Sequence, residues 1–377
     1  MNKVYLDNSG STVVLDEVLE TYITVSKKYY ANSSAVHNLA NEGRLLFNES
    51  KKQIASLCNV LEEEIFFTSG ASESINTAIK GYVLRNLKRK NHIIVTTIDH
   101  SSTLNTVKYL KDKFNIIVDY VSPENGEITS EMIMEYVNED TLMVSLPHVQ
   151  SETGYILPIE EIAKVLKNNK IVFHVDASQS IGKIPIEFSN YDMISASFHK
   201  IHGVKGIGLL YKKKNVLIDE LIHGGNQQTV RSGTINLPAC VSSSRCLRLI
   251  FEDLKQSYLK VCKLNEMLRK YFNTRDDVVI NSSNNCSPYI LNISLKDINS
   301  AALSRRMWNL GYFFSNNTSC NSNKDYSNAI LEFTNDLKLA ANSIRISISK
   351  FTTELEIKSF IAIFEESIDK VRGNDCG

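Results

Sequence analysis

Short apolar runs closed by small, polar or acidic residues recur along the first two thirds of the chain. They are Glu64-Ile-Phe-Phe-Thr68, His92-Ile-Ile-Val-Thr-Thr97, Thr141-Leu-Met-Val-Ser-Leu146, Ile171-Val-Phe-His-Val-Asp176, Asp192-Met-Ile194 and Gly208-Leu-Leu-Tyr211. Rich in β-branched residues and free of interior glycine and proline, such runs read as buried strands of an α/β sheet. Helical periods separate them. Leu15 to Tyr30 carries one; a second leads to Val60, with Ser33 or Ser34 as its N-cap. Ser69-Gly-Ala-Ser-Glu73 turns into a third that runs through Ile79. The amino terminus opens on a short strand, Val4-Tyr-Leu-Asp7, and the polar turn Asn8 to Thr12. Asn236 through Phe272 is mostly helical in period and leads into a second region. That region holds a strand, Tyr289 to Ser294, a helix around Ser300 to Leu310, and a last helix from Thr353 to Arg372.

In open α/β sheets ligands bind beyond the carboxyl ends of the strands, so Asp176 and Lys200 face one crevice. A lysine there, beside hydroxyls and a histidine, suits Schiff-base chemistry, and an acid closing a strand suits a protonated ring nitrogen. The plainer alternative is a solvated Lys200 and an Asp176 that caps a helix. The small residues 69–73 at a helix start offer the Ala71 and Ser72 N–H groups and the Ser72 hydroxyl to a phosphate, although serine is also a routine N-cap. His100 follows a strand as Asp99-His100, where a neutral imidazole serves proton transfer and an ordinary structural histidine is the alternative. Phe313 to Asn323 is rich in serine and asparagine, which predicts an exposed, mobile loop. A cysteine there, Cys320, is unusual because cysteine is among the most often buried residues.

Composition narrows the class without naming it. The length of 377 residues allows two or three domains, and 43% hydrophobic with 22% charged residues describes a soluble globular protein. Forty-two basic and forty-two acidic residues cancel, which removes the electrostatic argument for nucleic acid or an anionic membrane. No stretch has the apolar length of a membrane span, and the amino terminus reads as a strand without a signal segment. Seven scattered cysteines form no CxxC pair and no metal-ligand spacing, so reduced thiols in the cytoplasm and no metal are expected. Cys376, in the polar tail, reads as an incidental thiol.

Taken in order, these motifs resemble class V of the pyridoxal-phosphate (PLP) enzymes, and within it the NifS-like cysteine desulfurases. The resemblance runs from Tyr5-Leu-Asp-Asn8 to Arg345-Ile-Ser347 and rests most on His174-Val-Asp-Ala-Ser-Gln179, Ser197-Phe-His-Lys200 and Gly203-Val-Lys-Gly-Ile-Gly208. Gly224 to Thr234 is similar to the family's Gly-Gly-x-Gln-Glu…Arg-Ser-Gly-Thr loop, and Thr318-Ser-Cys320 to its thiol-bearing loop. The sequence also departs from the pattern. Gln150 and Ser151 replace two asparagines, the second of which normally bonds the PLP phenolic oxygen; Gln150 is a candidate substitute donor. Val204 stands where the family has proline.

The resemblance implies fold-type I: an α/β large domain over 15–255 with a mostly parallel seven-stranded sheet, and a smaller α+β domain from 1–14 and 256–377. It implies that Lys200 carries PLP, Asp176 holds the ring nitrogen, and His100 stacks on the ring and moves protons. Ala71, Ser72, Ser197 and His199 are expected around the cofactor, with Gln179 and Ser151 at its ring oxygen. Thr234 is expected at the phosphate of the partner subunit, which makes the enzyme a homodimer. The equivalents of Asn32, Ser34 and His37 shape a loop near the site. Arg345 is expected on the substrate carboxylate and Cys320 as nucleophile. The implied reaction converts L-cysteine to L-alanine and leaves a persulfide on Cys320 for a sulfur-acceptor protein, in iron–sulfur assembly, tRNA thiolation or a dedicated pathway. A lyase or aminotransferase acting on another amino acid, or a non-catalytic scaffold, are the alternatives.

Overall fold

The computed structural model describes residues 3–225, 227–316 and 325–374. Cys320 and Cys376 lie outside the described residues. A short strand, β1 (Val4–Tyr5), comes first, and seven strands then build the central sheet: β2 (Ile65–Thr68), β3 (His92–Thr96), β4 (Ile117–Val121), β5 (Thr141–Pro147), β6 (Val172–Asp176), β7 (Met193–Ser197) and β8 (Gly208–Lys212). Their spatial order is β2-β8-β7-β6-β5-β3-β4. Within this sheet β8 alone runs against its neighbours.

Alternate residues enter opposite layers because side chains in a strand point to opposite faces. Ile65, Phe67, Ile94, Val144, Ile194 and Leu209 pack into one apolar cluster, and Phe66, Ile93, Val95, Met143, Met193 and Leu210 into another. Both faces are thus covered, which explains why the strands read as continuous apolar runs.

The later part of the chain forms a second layer. Strands β9 (Val278–Ile280), β10 (Ile290–Leu295), β12 (Ser315–Asn316) and β13 (Ser343–Ser347) make an antiparallel sheet in the order β12-β13-β10-β9. Between them, β11 (Tyr312–Phe313) pairs in parallel with β1. Leu6 enters the apolar cluster of this region beside Ile293, Ile344, Phe360 and Phe364. The chain start is therefore bonded to its last third, and the segment that follows β1 is drawn across the central sheet.

Three local readings change. The helix of residues Asn38–Cys58 is capped by His37, whose Nδ1 accepts the Ala40 N–H at 3.2 Å, and not by Ser33 or Ser34. The helical stretch 236–272 is two helices, Leu237–Glu252 and Leu254–Phe272, broken at Asp253. Strand β4 was not read from the sequence because partly exposed residues interrupt its apolar run, as at a sheet edge.

Candidate active site

The carboxyl ends of β2, β3, β5, β6 and β7 open onto one cavity of about 570 Å³. Asp176 ends β6 and Ser197 ends β7 beside it. The single turn Phe198–Lys200 then carries His199 and Lys200 into the cavity wall. The segment after β1 holds this turn in place. Thr12 donates both its backbone N–H and its hydroxyl to the His199 carbonyl at 2.9 Å, and its hydroxyl accepts the His202 N–H at 2.7 Å. Ser11 Oγ lies 3.3 Å from His199 Nδ1. Burial, with Lys200, Lys205 and Lys183 nearby, pushes the His199 pKa down to about 4.

Asp176 is held from its own turn. Its Oδ1 accepts the Ser178 N–H at 2.9 Å and the Ser178 hydroxyl at 2.5 Å, which leaves Oδ2 as its acceptor for the cavity. His174, two residues earlier on β6, is fully buried, with its ring nitrogens 2.8 Å from Ser145 Oγ and 2.9 Å from Ser195 Oγ. It ties β5, β6 and β7 together below Asp176, and burial lowers its pKa to about 4. In the sequence His174 and Ser178 are signalled only by a place at alternating strand positions and on an Asx-type turn.

The helix Ala71–Asn86 points its amino terminus at the same cavity, and Gly70, Ala71 and Ser72 line it. Glu73 secures this start by accepting the Ser69 N–H at 2.7 Å and pairing with Arg231 Nε at 3.0 Å. A Cβ on Gly208 of β8 would come within 2.5 Å of the Gly70 backbone, so glycine at 208 is what lets the loop lie so close. Ser72 Oγ meets Ser102 Oγ at 2.8 Å. His100 caps the helix Ser101–Phe114, and its Nδ1 accepts the Ser102 N–H at 3.1 Å, so the neutral ring carries its proton on Nε2. His100 keeps an exposed edge toward the cavity, yet the protein packed around it, with Lys200 and Arg345, holds its pKa below the usual histidine value against the pull of Asp176.

Ser151 lines the cavity, but Gln150 does not. The Gln150 Oε1 accepts the N–H groups of Glu152 and Thr153, both at 2.7 Å, and it is 2% exposed. Its Oε1 is spent on the turn, and its Nε2 is directed to the Ile98 carbonyl at 3.5 Å. Gln179 lines the cavity with its amide engaged at both ends, Nε2 to the Ser9 carbonyl at 3.0 Å and Oε1 from Lys183 at 2.8 Å.

Two expected residues stand outside the wall. Thr234 is exposed on the loop before the helix Leu237–Glu252 and does not reach this chain's own cavity. Arg345, on β13, lies behind Ser151: its Nη1 donates to the Ser151 carbonyl at 3.1 Å, and its Nη2 to Asp7 at 2.9 Å and Ser315 at 3.0 Å. Its Nε is buried without a partner among the described residues. Asn32 Oδ1 accepts the Ser34 N–H at 3.0 Å and, with His37, shapes the loop ahead of the helix Asn38–Cys58, away from the cavity wall.

The chain matches the aminotransferase class V family over residues 4–360. The chain belongs to the class V aminotransferase family. It is 34% identical to the cysteine desulfurase IscS of Buchnera aphidicola subsp. Baizongia pistaciae, over 98% of this chain and 93% of that protein. A solved NifS-like protein superposes with a TM-score of 0.91 at 34% identity, covering 97% of this chain and 99% of the other. A structure titled SspA in complex with cysteine gives a TM-score of 0.81 at 30% identity, over 93% of this chain and all of that one. The fold is therefore the fold-type I architecture of class V, and the family's cofactor is PLP. The cavity suits it: a helix start and paired hydroxyls for a phosphate, an open carboxylate oxygen for a ring nitrogen, and a lysine on the same lining.

Proposed function

We propose that the protein is a PLP-dependent cysteine desulfurase that converts L-cysteine to L-alanine and collects the sulfur as a persulfide on Cys320. The observation that carries this reading is the meeting of Lys200, Asp176 and the Ala71 helix start in one cavity, in a chain 34% identical to a named cysteine desulfurase. When bound, PLP supplies an aldehyde for the substrate amine and a ring that draws electrons away from the substrate's α-carbon.

The chain's own groups do the rest. Lys200 would hold the cofactor covalently and would serve, through its Nζ, as the base for the substrate's α-proton. Asp176 Oδ2 keeps a proton on the ring nitrogen, and Ser178 fixes the carboxylate that does so. Ala71, Ser72, Ser197 and His199 would hold the phosphate side, and Gln179 and Ser151 the ring oxygen. His100, neutral through its lowered pKa, offers Nε2 for proton transfer to and from the thiols. Arg345 would orient the substrate carboxylate by exchanging one of its bonds to Ser151, Asp7 or Ser315 for it. Cys320 attacks the substrate sulfur, taking that atom and leaving carbon to be protonated to alanine.

We assign the large domain to 15–255 and the small one to 1–14 with 256–377. Thr234, exposed on its loop, is free to serve the site of a second copy, which supports a homodimer. A sulfur-acceptor protein, of iron–sulfur scaffold or tRNA-thiolation type, and a cytoplasmic setting complete the proposal. The test is product analysis: alanine and sulfide from L-cysteine, with sulfide rising in the presence of a reductant. Ammonia and a keto acid as products would favour a lyase or aminotransferase instead.

A further inference from the structure

Lys183 is a buried amine with no acid beside it among the described residues. It is 6% exposed, and its one hydrogen bond among the described residues is from Nζ to Gln179 Oε1 at 2.8 Å. The Tyr289 ring lies 6.0 Å from the same Nζ. The charged groups that act on it are Lys200 and Arg345, and with burial they lower its pKa to about 7; His199 and His202 feel its charge in turn. Burying such a group costs free energy, and among the described residues no carboxylate offsets it.

What Lys183 does is fix an amide. The two ends of Gln179 are not interchangeable here, because Lys183 brings a donor to one end and the Ser9 carbonyl an acceptor to the other. A flipped amide would set its oxygen against the Ser9 carbonyl, and its NH₂ against an ammonium whenever Lys183 is protonated. The orientation leaves the second Nε2 hydrogen as the group Gln179 has to offer the cavity that it lines.

We infer that Lys183 is a positioning residue: it locks the Gln179 amide with its donor end available to the cavity, and so stabilises negative charge on the cofactor's ring oxygen. This rests on the reading of Gln179 as the partner of that oxygen.

The experiment is a pH titration of the visible absorption of the PLP-loaded protein. Lys183→Met should raise the titration midpoint by about half a unit to one unit, the size of one neutral hydrogen bond. Lys183→Gln, which keeps a donor and removes the charge, should titrate as wild type. In a Gln179→Ala background, Lys183→Met should add no further shift, since residues acting through one another are not additive. An unchanged midpoint in Lys183→Met overturns the inference. So does an equal shift in the Gln179→Ala background, or a Lys183→Gln midpoint displaced as far as that of Lys183→Met, because both mean that charge alone acts. Wild-type protein that binds no PLP would sink the functional reading itself, which is a separate failure.

Discussion

Lys200 reaches the cavity from a single turn that Thr12 clamps on its backbone side, so replacing its side chain leaves the turn's own hydrogen bonds intact. Lys200→Ala should fold, yet after borohydride treatment and dialysis it should retain no covalent PLP. A reducible adduct that persists in this variant would move the attachment to another lysine, with Lys205 on the same wall the first to check. Arg345 has three of its hydrogen bonds inside the protein, to Ser151, Asp7 and Ser315. A charge-assisted bond is worth roughly 1.5–3 kcal/mol. Where one of these bonds is exchanged for the substrate carboxylate, Arg345→Lys should raise the Michaelis constant for L-cysteine about ten- to a hundredfold while the resting spectrum stays the same; an unchanged constant removes Arg345 from substrate binding. At this scale the sequence was legible where a motif names a residue and silent where a partner is distant. Asp176 and Lys200 stand out by position after a strand. The Asp7–Arg345 pair joins the two ends of the chain and has no local signal.

The strands and helices deliver these residues, and two elements can be tested directly. Gly208 on β8 lies against the Gly70 loop so closely that a methyl group would sit 2.5 Å from its backbone. Gly208→Ala should push the helix start away, weaken PLP binding at least tenfold and lower stability by about 1–3 kcal/mol. Retained cofactor affinity would show that the loop's approach does not matter. His174 stitches β5, β6 and β7 and is held neutral, with its pKa lowered by burial to about 4. Its unfolded value is about 6.5, so the unfolded chain binds the extra proton first as pH falls. The stability it contributes is complete above about pH 6.5 and is lost progressively as pH falls through about 4. Between pH 7 and pH 5 this amounts to about 2 kcal/mol. Asp99 works the other way, since burial raises its pKa to about 7 and its protonation on acidification favours the folded state. His148, His199 and His202 titrate in the same sense as His174 and outnumber it. Denaturant unfolding should thus show a loss between pH 7 and pH 5 that shrinks in His174→Gln. An equal loss in that variant would mean that His174 is not the group that titrates. Element types were largely readable from apolar runs, because a sheet covered on both faces leaves an unbroken hydrophobic signal. The exceptions, β4 at an edge and the break at Asp253, are places where packing and not composition decides.

At the scale of the whole molecule, the chain start crosses from the small region's core to the cavity, so the site is assembled from residues that are far apart in sequence. Ser11, Ala71, His100, Asp176 and Lys200 line one wall because five strands end there. The order of motifs made this fold and its crevice legible; the spending of Gln150 on its own turn and the locking of Gln179 by Lys183 became visible only in three dimensions. In the proposed reaction, sulfur leaves L-cysteine onto Cys320. That transfer is tested most directly by incubating PLP-loaded protein with L-cysteine, trapping thiols without reductant, and mapping added sulfur by peptide mass spectrometry. The expected result is one extra sulfur on the Cys320 peptide, with alanine formed in step, and neither in Cys320→Ser. Sulfur found on a different cysteine, or alanine formed at the normal rate by Cys320→Ser, would contradict it.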